Sequence, residues 1–234
     1  MERKLFIGYV DRNEDLEIPD FLKGRKFVIA VAPAYILDES LTTKTFDKIK
    51  EALDLGCVLG QRGGISDKCL KHRFGGDPHH GKNSCLYHPF QYDMDNEKEG
   101  MELGRLALQE HFDTDVDIYN PLNHLWRKGT LENAEETGFK FFMDRNQVGL
   151  RPYTQGNITV LPEGKIPGEV GRGSCVYSAL GNINNPGVRE YLESIEFVLP
   201  GEIETFKVGE GIKLFNKVVK NGRKILRDAR WIIL

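Results

Sequence analysis

Short apolar runs rich in β-branched residues recur along the chain and alternate with longer segments of helical periodicity. The candidate strands cover residues 5–10, 27–31, 57–60, 116–119, 139–143, 158–161 and 175–179. Strands that alternate with helices are typical of parallel sheets, because a parallel pair needs a long crossover connection. The pattern therefore predicts an α/β fold, a (β/α) barrel that is distorted or seven-stranded.

Helical periodicity fills the intervals between several of these strands. Residues 43–55 place Phe46, Ile49 and Leu53 on one face, and residues 97–112 do the same with Met101, Leu108 and Phe112. Thr130 is the expected cap of a short helix that ends at Gly138, and Pro186 is expected in the first turn of a helix that carries Val188, Leu192 and Ile195.

In parallel barrels the chemistry sits at the carboxyl ends of the strands. Polar residues that follow the predicted strands are Asp11, Gln61, Arg62, Asn120, Asn123, His124, Asp144, Arg145, Tyr177 and Ser178. Any one of them could simply terminate its strand, but the set as a whole predicts a functional rim.

A long loop, residues 61–96, follows the third predicted strand and contains four of the six histidines. Loops of this length are usually functional, metal-stabilised or disordered. Cys69 with His72 and Cys85 with His88 form the same Cys-x-x-His pattern twice. Two thiolates and two imidazoles suit tetrahedral zinc, so these four residues are candidate metal ligands. The alternative is a solvated loop with reduced thiols and surface histidines.

His79 and His80 follow Asp77 in the same loop and are candidate catalytic residues. Asp and His can hold a catalytic metal with an open position for water, and a free imidazole can act as a general acid. The alternative is a turn, because glycines and a proline surround Asp77.

Composition limits the classes of function. The chain has 234 residues, of which 40% are hydrophobic, and this length accommodates one large core, so we expect one domain over residues 1–234. The formal net charge of -3 disfavours nucleic-acid binding. The sequence contains no secretory signal and no apolar stretch long enough to span a membrane, which predicts a cytoplasmic protein with reduced cysteines.

Residues 210–230 are rich in Lys and Arg on a helical pattern. Such a basic helix can lie peripherally on an anionic membrane surface, or it can pack on the barrel with solvated lysines.

Four segments resemble the polysaccharide (carbohydrate) deacetylase superfamily: residues 27–33, 56–63, 119–126 and 129–142. The resemblance extends over roughly half of the chain and implies a metal-dependent hydrolase of acylated sugars, in which an aspartate acts as base. It assigns Asp11 to the catalytic aspartate and Asn123 and His124 to substrate binding. Trp126 could stack on a pyranose ring or pack at the rim.

The resemblance fails at one motif. The superfamily has a metal-binding histidine pair after its third strand, where this sequence has Arg62 and Ser66. A guanidinium has no lone pair to donate to a metal. Three hypotheses follow: a deacetylase whose ligands for a divalent metal, zinc, have moved into the long loop, a hydrolase of altered chemistry, or a catalytically inactive barrel that binds glycan or has a structural role. The sequence does not determine the oligomeric state.

Overall fold

A computed structural model of the protein describes residues 2–10, 16–37, 41–65, 97–121, 128–144, 152–164, 175–180, 183–203 and 205–207. Its strands are β1 (Glu2–Tyr9), β2 (Val28–Val31), β3 (Val58–Arg62), β4 (Ile118–Asn120), β5 (Phe141–Asp144), β6 (Tyr153–Gln155), β7 (Ile158–Gly164), β8 (Cys175–Ala179), β9 (Ile195–Phe197) and β10 (Phe206–Lys207). Its α-helices are α1 (Ala34–Leu37), α2 (Thr43–Asp54), α3 (Glu97–Phe112), α4 (Lys128–Glu136) and α5 (Pro186–Ser194), with 3-10 turns at Asp20–Leu22 and Pro200–Glu202.

Seven parallel strands form a closed ring in the order β1, β2, β3, β4, β5, β7 and β8. The ring closes because β8 pairs with β7 on one side and with β1 on the other. These are the seven strands predicted from the sequence, so the barrel-like α/β fold is confirmed. Three short strands were missed: β6 pairs antiparallel with β7, β10 adds to β6, and β9 adds to β1.

Side-chain alternation sorts the strand residues into two apolar layers. One layer fills the ring interior and comprises Leu5, Ile7, Val28, Ala30, Ile118, Met143, Leu161 and Cys175. The other lies between the ring and the helices and includes Phe6, Ile29, Leu59, Phe142 and Val160. Successive residues of a strand alternate between the two layers, so this alternation shows toward which layer the polar residue at the end of each strand points.

The helices follow the sequence predictions with two corrections. α2, α3 and α5 occupy the predicted segments, and Pro186 stands in the first turn of α5 after its cap Asn185. Thr130 does not cap α4, which begins two residues earlier; its buried hydroxyl instead donates to Glu97 at 2.7 Å. Ile195 leaves the helical pattern because it pairs with β1 as the start of β9.

Two predicted segments lie largely or wholly outside the described residues: the long loop at 61–96, apart from residues 61–65, and the basic segment at 210–230. Within the described ranges, no helix combines the length and apolarity that crossing a bilayer requires. The two cysteines described, Cys57 and Cys175, are buried.

Candidate functional site

The carboxyl ends of the ring strands carry polar side chains, as the sequence predicts. Tyr9 ends β1, Arg62 ends β3, Asn120 ends β4 and Asp144 ends β5. Because these strands are parallel, their ends form one rim of the barrel, which is the position where barrels of this architecture place their chemistry.

Arg62 faces the mouth of the ring. Val58 packs against the interior layer, and alternation along β3 puts Gly60 and Arg62 on that same face. The guanidinium carbon of Arg62 lies 4.2 Å from the centroid of the Tyr9 ring, and Tyr9 itself packs against the interior layer. This cation–π contact fixes a positive charge at the mouth. Arg62 is the one predicted site residue within the described ranges, and its role in substrate binding stays a prediction.

Asn120 stands beside Arg62 on the neighbouring strand. The two residues are in register, and Ile118 in the interior layer shows that Asn120 also faces inward. Its side chain is fully buried, yet neither Nδ2 nor Oδ1 has a hydrogen-bond partner among the described residues. Leaving a buried polar group unsatisfied costs about 1–3 kcal/mol, so native structures retain few such groups. Asn120 is therefore a candidate for contact with a ligand, and Gln61 on the neighbouring strand also has an unsatisfied atom, Oε1.

Gln61 ends the same strand as Arg62 but points the other way. Its Nε2 donates to the carbonyl oxygen of Gly63 at 2.8 Å and to that of Met101 at 3.2 Å. A Cβ added to Gly104 of α3 would lie 2.6 Å from this Nε2, so the glycine permits the close approach of the helix. Gln61, which the sequence placed at the functional rim, thus holds α3 against β3 outside the mouth.

Asp144 and Ser178 also belong to the predicted rim. Asp144 is a fully buried carboxyl at the end of β5 that interacts with its surroundings, and alternation places it on the side of Phe142, toward the helices. Ser178 lies on the helix side of β8 and donates to the carbonyl oxygen of Ala179 at 3.3 Å. Neither side chain shares the inward face of Arg62 and Asn120.

A second buried polar cluster joins the first turn of α3 to α4. Glu97 accepts from Thr130 Oγ1 at 2.7 Å and from Asn133 Nδ2 at 2.8 Å. Burial, reinforced by the negative charge of Glu97, raises the pKa of Tyr119, so this phenol stays neutral. Glu97 is the first residue of the helix predicted over residues 97–112, and the sequence pattern gives no sign of its burial. The cluster holds the two helices that flank β4.

Ten of the eleven predicted site residues lie outside the described residues. They are Asp11, His79 and His80 for catalysis, Asn123, His124 and Trp126 for substrate binding, and Cys69, His72, Cys85 and His88 for metal binding. Their proposed roles stay predictions.

The described rim does not fit a divalent metal ion. Within the described ranges, no three His, Cys, Asp or Glu side chains lie close enough together to hold one. Arg62 cannot ligate a cation, and the neutral amide of Asn120 is a weak ligand next to it.

The barrel is similar to several solved structures. No family model matches the sequence, and no curated protein is significantly similar to it. The Xyl-CE4 domain of a multidomain xylanase from the hindgut metagenome of Trinervitermes trinervoides matches with a TM-score of 0.51 at 12% identity, covering 92% of this chain and 91% of that one. The fold predicted from the deacetylase resemblance is confirmed.

Two further solved structures share this deacetylase-like fold. The 4-alpha-glucanotransferase from Thermococcus litoralis has a TM-score of 0.56 at 12% identity and covers 88% of this chain. The present chain spans only 39% of that enzyme. Puue allantoinase has a TM-score of 0.50 at 13% identity, with 78% of this chain and 68% of that chain covered. At these identities the likeness concerns the fold and leaves the activity to be argued from the residues.

Proposed function

We propose that the protein is a hydrolase of the deacetylase type, which removes an acyl group from a glycan or a sugar precursor at the mouth of the barrel. The observation that carries the proposal is the buried, unsatisfied amide of Asn120 beside Arg62 at the carboxyl ends of parallel strands. The fold supports the same substrate class, since two of its solved neighbours are a 4-alpha-glucanotransferase and a domain of a multidomain xylanase.

Each proposed site residue has a chemical task in this scheme. The amide of Asn120 can donate to an acyl carbonyl oxygen and accept from a sugar hydroxyl. Asn123 and His124 would extend these hydrogen bonds beyond β4, and Trp126 would stack on the sugar ring. Asp11 would take the proton of the attacking water, with His79 or His80 protonating the leaving group.

Metal dependence is a separate part of the proposal. The resemblance implies a divalent ion, and zinc held by Cys69, His72, Cys85 and His88 of the long loop would have four protein ligands and would stabilise the fold of that loop. Peripheral membrane contact through residues 210–230 is likewise a proposal, and so is a cytoplasmic location.

A second candidate function is favoured by one residue. Arg62 occupies the position where the resemblance places a metal-binding histidine, and a substitution of this kind suits a barrel that has lost catalysis and only binds glycan. Hydrolysis and binding must therefore be measured separately.

The deciding experiment measures acetate release from acetylated xylan and from N-acetylglucosamine oligomers, together with the metal content of the purified protein. We expect acetate release that Asp11→Asn, His79→Ala or His80→Ala abolishes with the melting temperature unchanged. His111→Ala is the matched control, because His111 is an exposed residue that packs against Phe46 far along α3. Glycan binding without acetate release would favour the inactive barrel. If the protein neither binds glycan nor releases acetate, both functions are refuted.

A further inference from the structure

The outward face of α3 presents two leucines to solvent. Leu103 and Leu106 are 39% and 55% exposed, whereas Met101, Gly104, Leu108 and Phe112 on the opposite face are buried. Because residues three and four apart on a helix are neighbours, the leucines lie in one row with two glutamates, and a third glutamate flanks the row. We call this set the α3 stripe: Glu99, Glu102, Leu103, Leu106 and Glu110.

The three glutamates of the α3 stripe are exposed. None of them forms a salt bridge within the part of the chain that the structure describes. The two basic residues of α3 make their contacts on the side that faces α4: Lys98 pairs with Glu136 at 2.6 Å, and Arg105 donates to the carbonyl oxygens of Val116 and Thr137. The stripe is therefore apolar at its centre and negatively charged around it, which suits a basic amphipathic partner.

The chain itself contains a segment with the complementary pattern. Residues 208–234, which follow β10, hold seven Lys or Arg residues and two acidic residues, so their formal charge is +5, against -8 for residues 1–207. The helical pattern over residues 213–230 gathers Leu214, Val218 and Ile225 on one side, with lysines and arginines beyond its edges. An apolar row with basic edges matches an apolar row with acidic edges.

The direction of β10 leads this segment toward α3. β10 runs parallel to β6, with Lys207 opposite Thr154, so the chain leaves β10 toward the β6–β7 turn. At that turn the backbone N–H of Asn157 donates to Glu135 of α4 at 2.7 Å. One helix, α4, thus separates the end of β10 from α3. Packed helices lie about 8–10 Å apart, and five linking residues span roughly 17 Å when extended.

We propose that residues 213–230 dock on the α3 stripe of the same chain, with their apolar side chains over Leu103 and Leu106 and their basic side chains beside the glutamates. The inference does not depend on hydrolysis at the mouth of the barrel. Membrane contact through residues 210–230 would use the same apolar side chains, so docking and membrane contact exclude each other at any moment.

Limited digestion of the full chain with trypsin tests the docking, because residues 213–230 contain all seven basic cleavage positions of the segment. Mass spectrometry follows the cleavage, and a synthetic peptide of residues 208–234 gives the rate for an undocked segment. We expect cleavage in the protein to be at least about tenfold slower than in the peptide, the ratio that corresponds to about 1.4 kcal/mol. The protection should weaken as ionic strength increases.

An apolar variant and its matched control locate the docked surface. Leu106→Gln keeps a good helix former and should accelerate cleavage of the segment about fivefold, because one leucine contact is lost. Leu55→Gln is the control, since Leu55 at the end of α2 has the same 55% exposure but lies outside the α3 stripe. It should leave the cleavage rate unchanged.

A charge pair of variants tests the acidic edges separately. Glu102→Gln combined with Glu110→Gln should accelerate cleavage and reduce its dependence on salt. Asp54→Asn combined with Glu190→Gln removes two exposed carboxylates from α2 and α5 and should change neither.

Several results would overturn the inference. Equal cleavage rates in the protein and the peptide would do so, and so would equal acceleration by the stripe variants and their controls. Protection that appears only when phosphatidylserine vesicles are added would assign the segment to a membrane instead. Carbodiimide cross-linking of glutamates to lysines should join the stripe to the segment within monomers, and cross-links confined to dimers would refute docking within one chain. None of these measurements depends on acetate release, so the proposed function stands or fails separately.

Discussion

Replacement of Asn120 with leucine should stabilise the protein while it removes ligand binding. Both polar atoms of this fully buried amide are unsatisfied among the described residues. Each such atom costs about 1–3 kcal/mol, whereas the larger leucine introduces packing strain of similar size. Removing two unsatisfied atoms and adding one strain contribution leaves a net gain of about 1–3 kcal/mol. For a chain of this length, each 1 kcal/mol raises the melting temperature by about 2–4 °C.

Asn133→Leu is the matched control. The Asn133 amide lies half-buried in α4 and donates to Glu97 at 2.8 Å. Loss of a hydrogen bond to a charged group should destabilise the protein by about 1.5–3 kcal/mol. The higher helix propensity of leucine offsets a few tenths of a kcal/mol of this loss.

Urea and thermal unfolding measure the change in unfolding free energy of the two variants. We expect Asn120→Leu to raise the unfolding free energy and Asn133→Leu to lower it. If both substitutions destabilise the protein, the Asn120 amide is satisfied in the native state, as by an ordered water, and the argument that it belongs to a ligand pocket fails.

Three further predictions concern the frame of the barrel. A Cβ on Gly8 would lie 2.3 Å from Leu180 Cδ2, so Gly8→Ala should destabilise the protein by about 1–3 kcal/mol. Leu180 is a buried core residue, so Leu180→Ala is itself destabilising, and in the same unfolding assay the double variant should lose less stability than the sum of the two separate losses. Arg25 donates to the carbonyl oxygens of Leu192 and Ile195, and its guanidinium carbon lies 3.7 Å from the centroid of the Phe197 ring. Arg25→Lys should therefore lower the unfolding free energy by about 1–2 kcal/mol. An unchanged unfolding midpoint would show that the positive charge alone is sufficient. Burial raises the pKa of Cys57 above its ordinary value of 9.0, so its neutral thiol contributes stability that is present below that value and is lost as the pH rises through the folded-state pKa. The unfolding free energy should therefore fall as the pH rises from about 9.0 through the folded-state pKa, and less steeply in Cys57→Ala.

The ring strands could be predicted because each is a run of apolar residues long enough to stand out from its surroundings. β6, β9 and β10 could not, since two or three residues carry no usable alternation. Their positions depend on pairing with β7 and β1, which is a tertiary property.

The site was predicted less completely than the fold. The rim position of Arg62, Asn120 and Gln61 follows from where their strands end, but the direction of each side chain does not. Strands buried on both faces are apolar at every position, so their sequence does not reveal which residues face inward. Only the register shows that Arg62 and Asn120 share the mouth while Gln61 binds α3. The missing partner of the Asn120 amide is visible only after packing.

The central claim is that Arg62 and Asn120 form one sugar-binding mouth, and the side-chain N–H signals of these two residues test it most directly. Their ¹H–¹⁵N resonances, assigned from Arg62→Lys and Asn120→Leu, should shift together and saturate with a single affinity when an N-acetylglucosamine oligomer is added. Sugar-induced shifts confined to other signals, with both of these unchanged at saturation, would contradict the account.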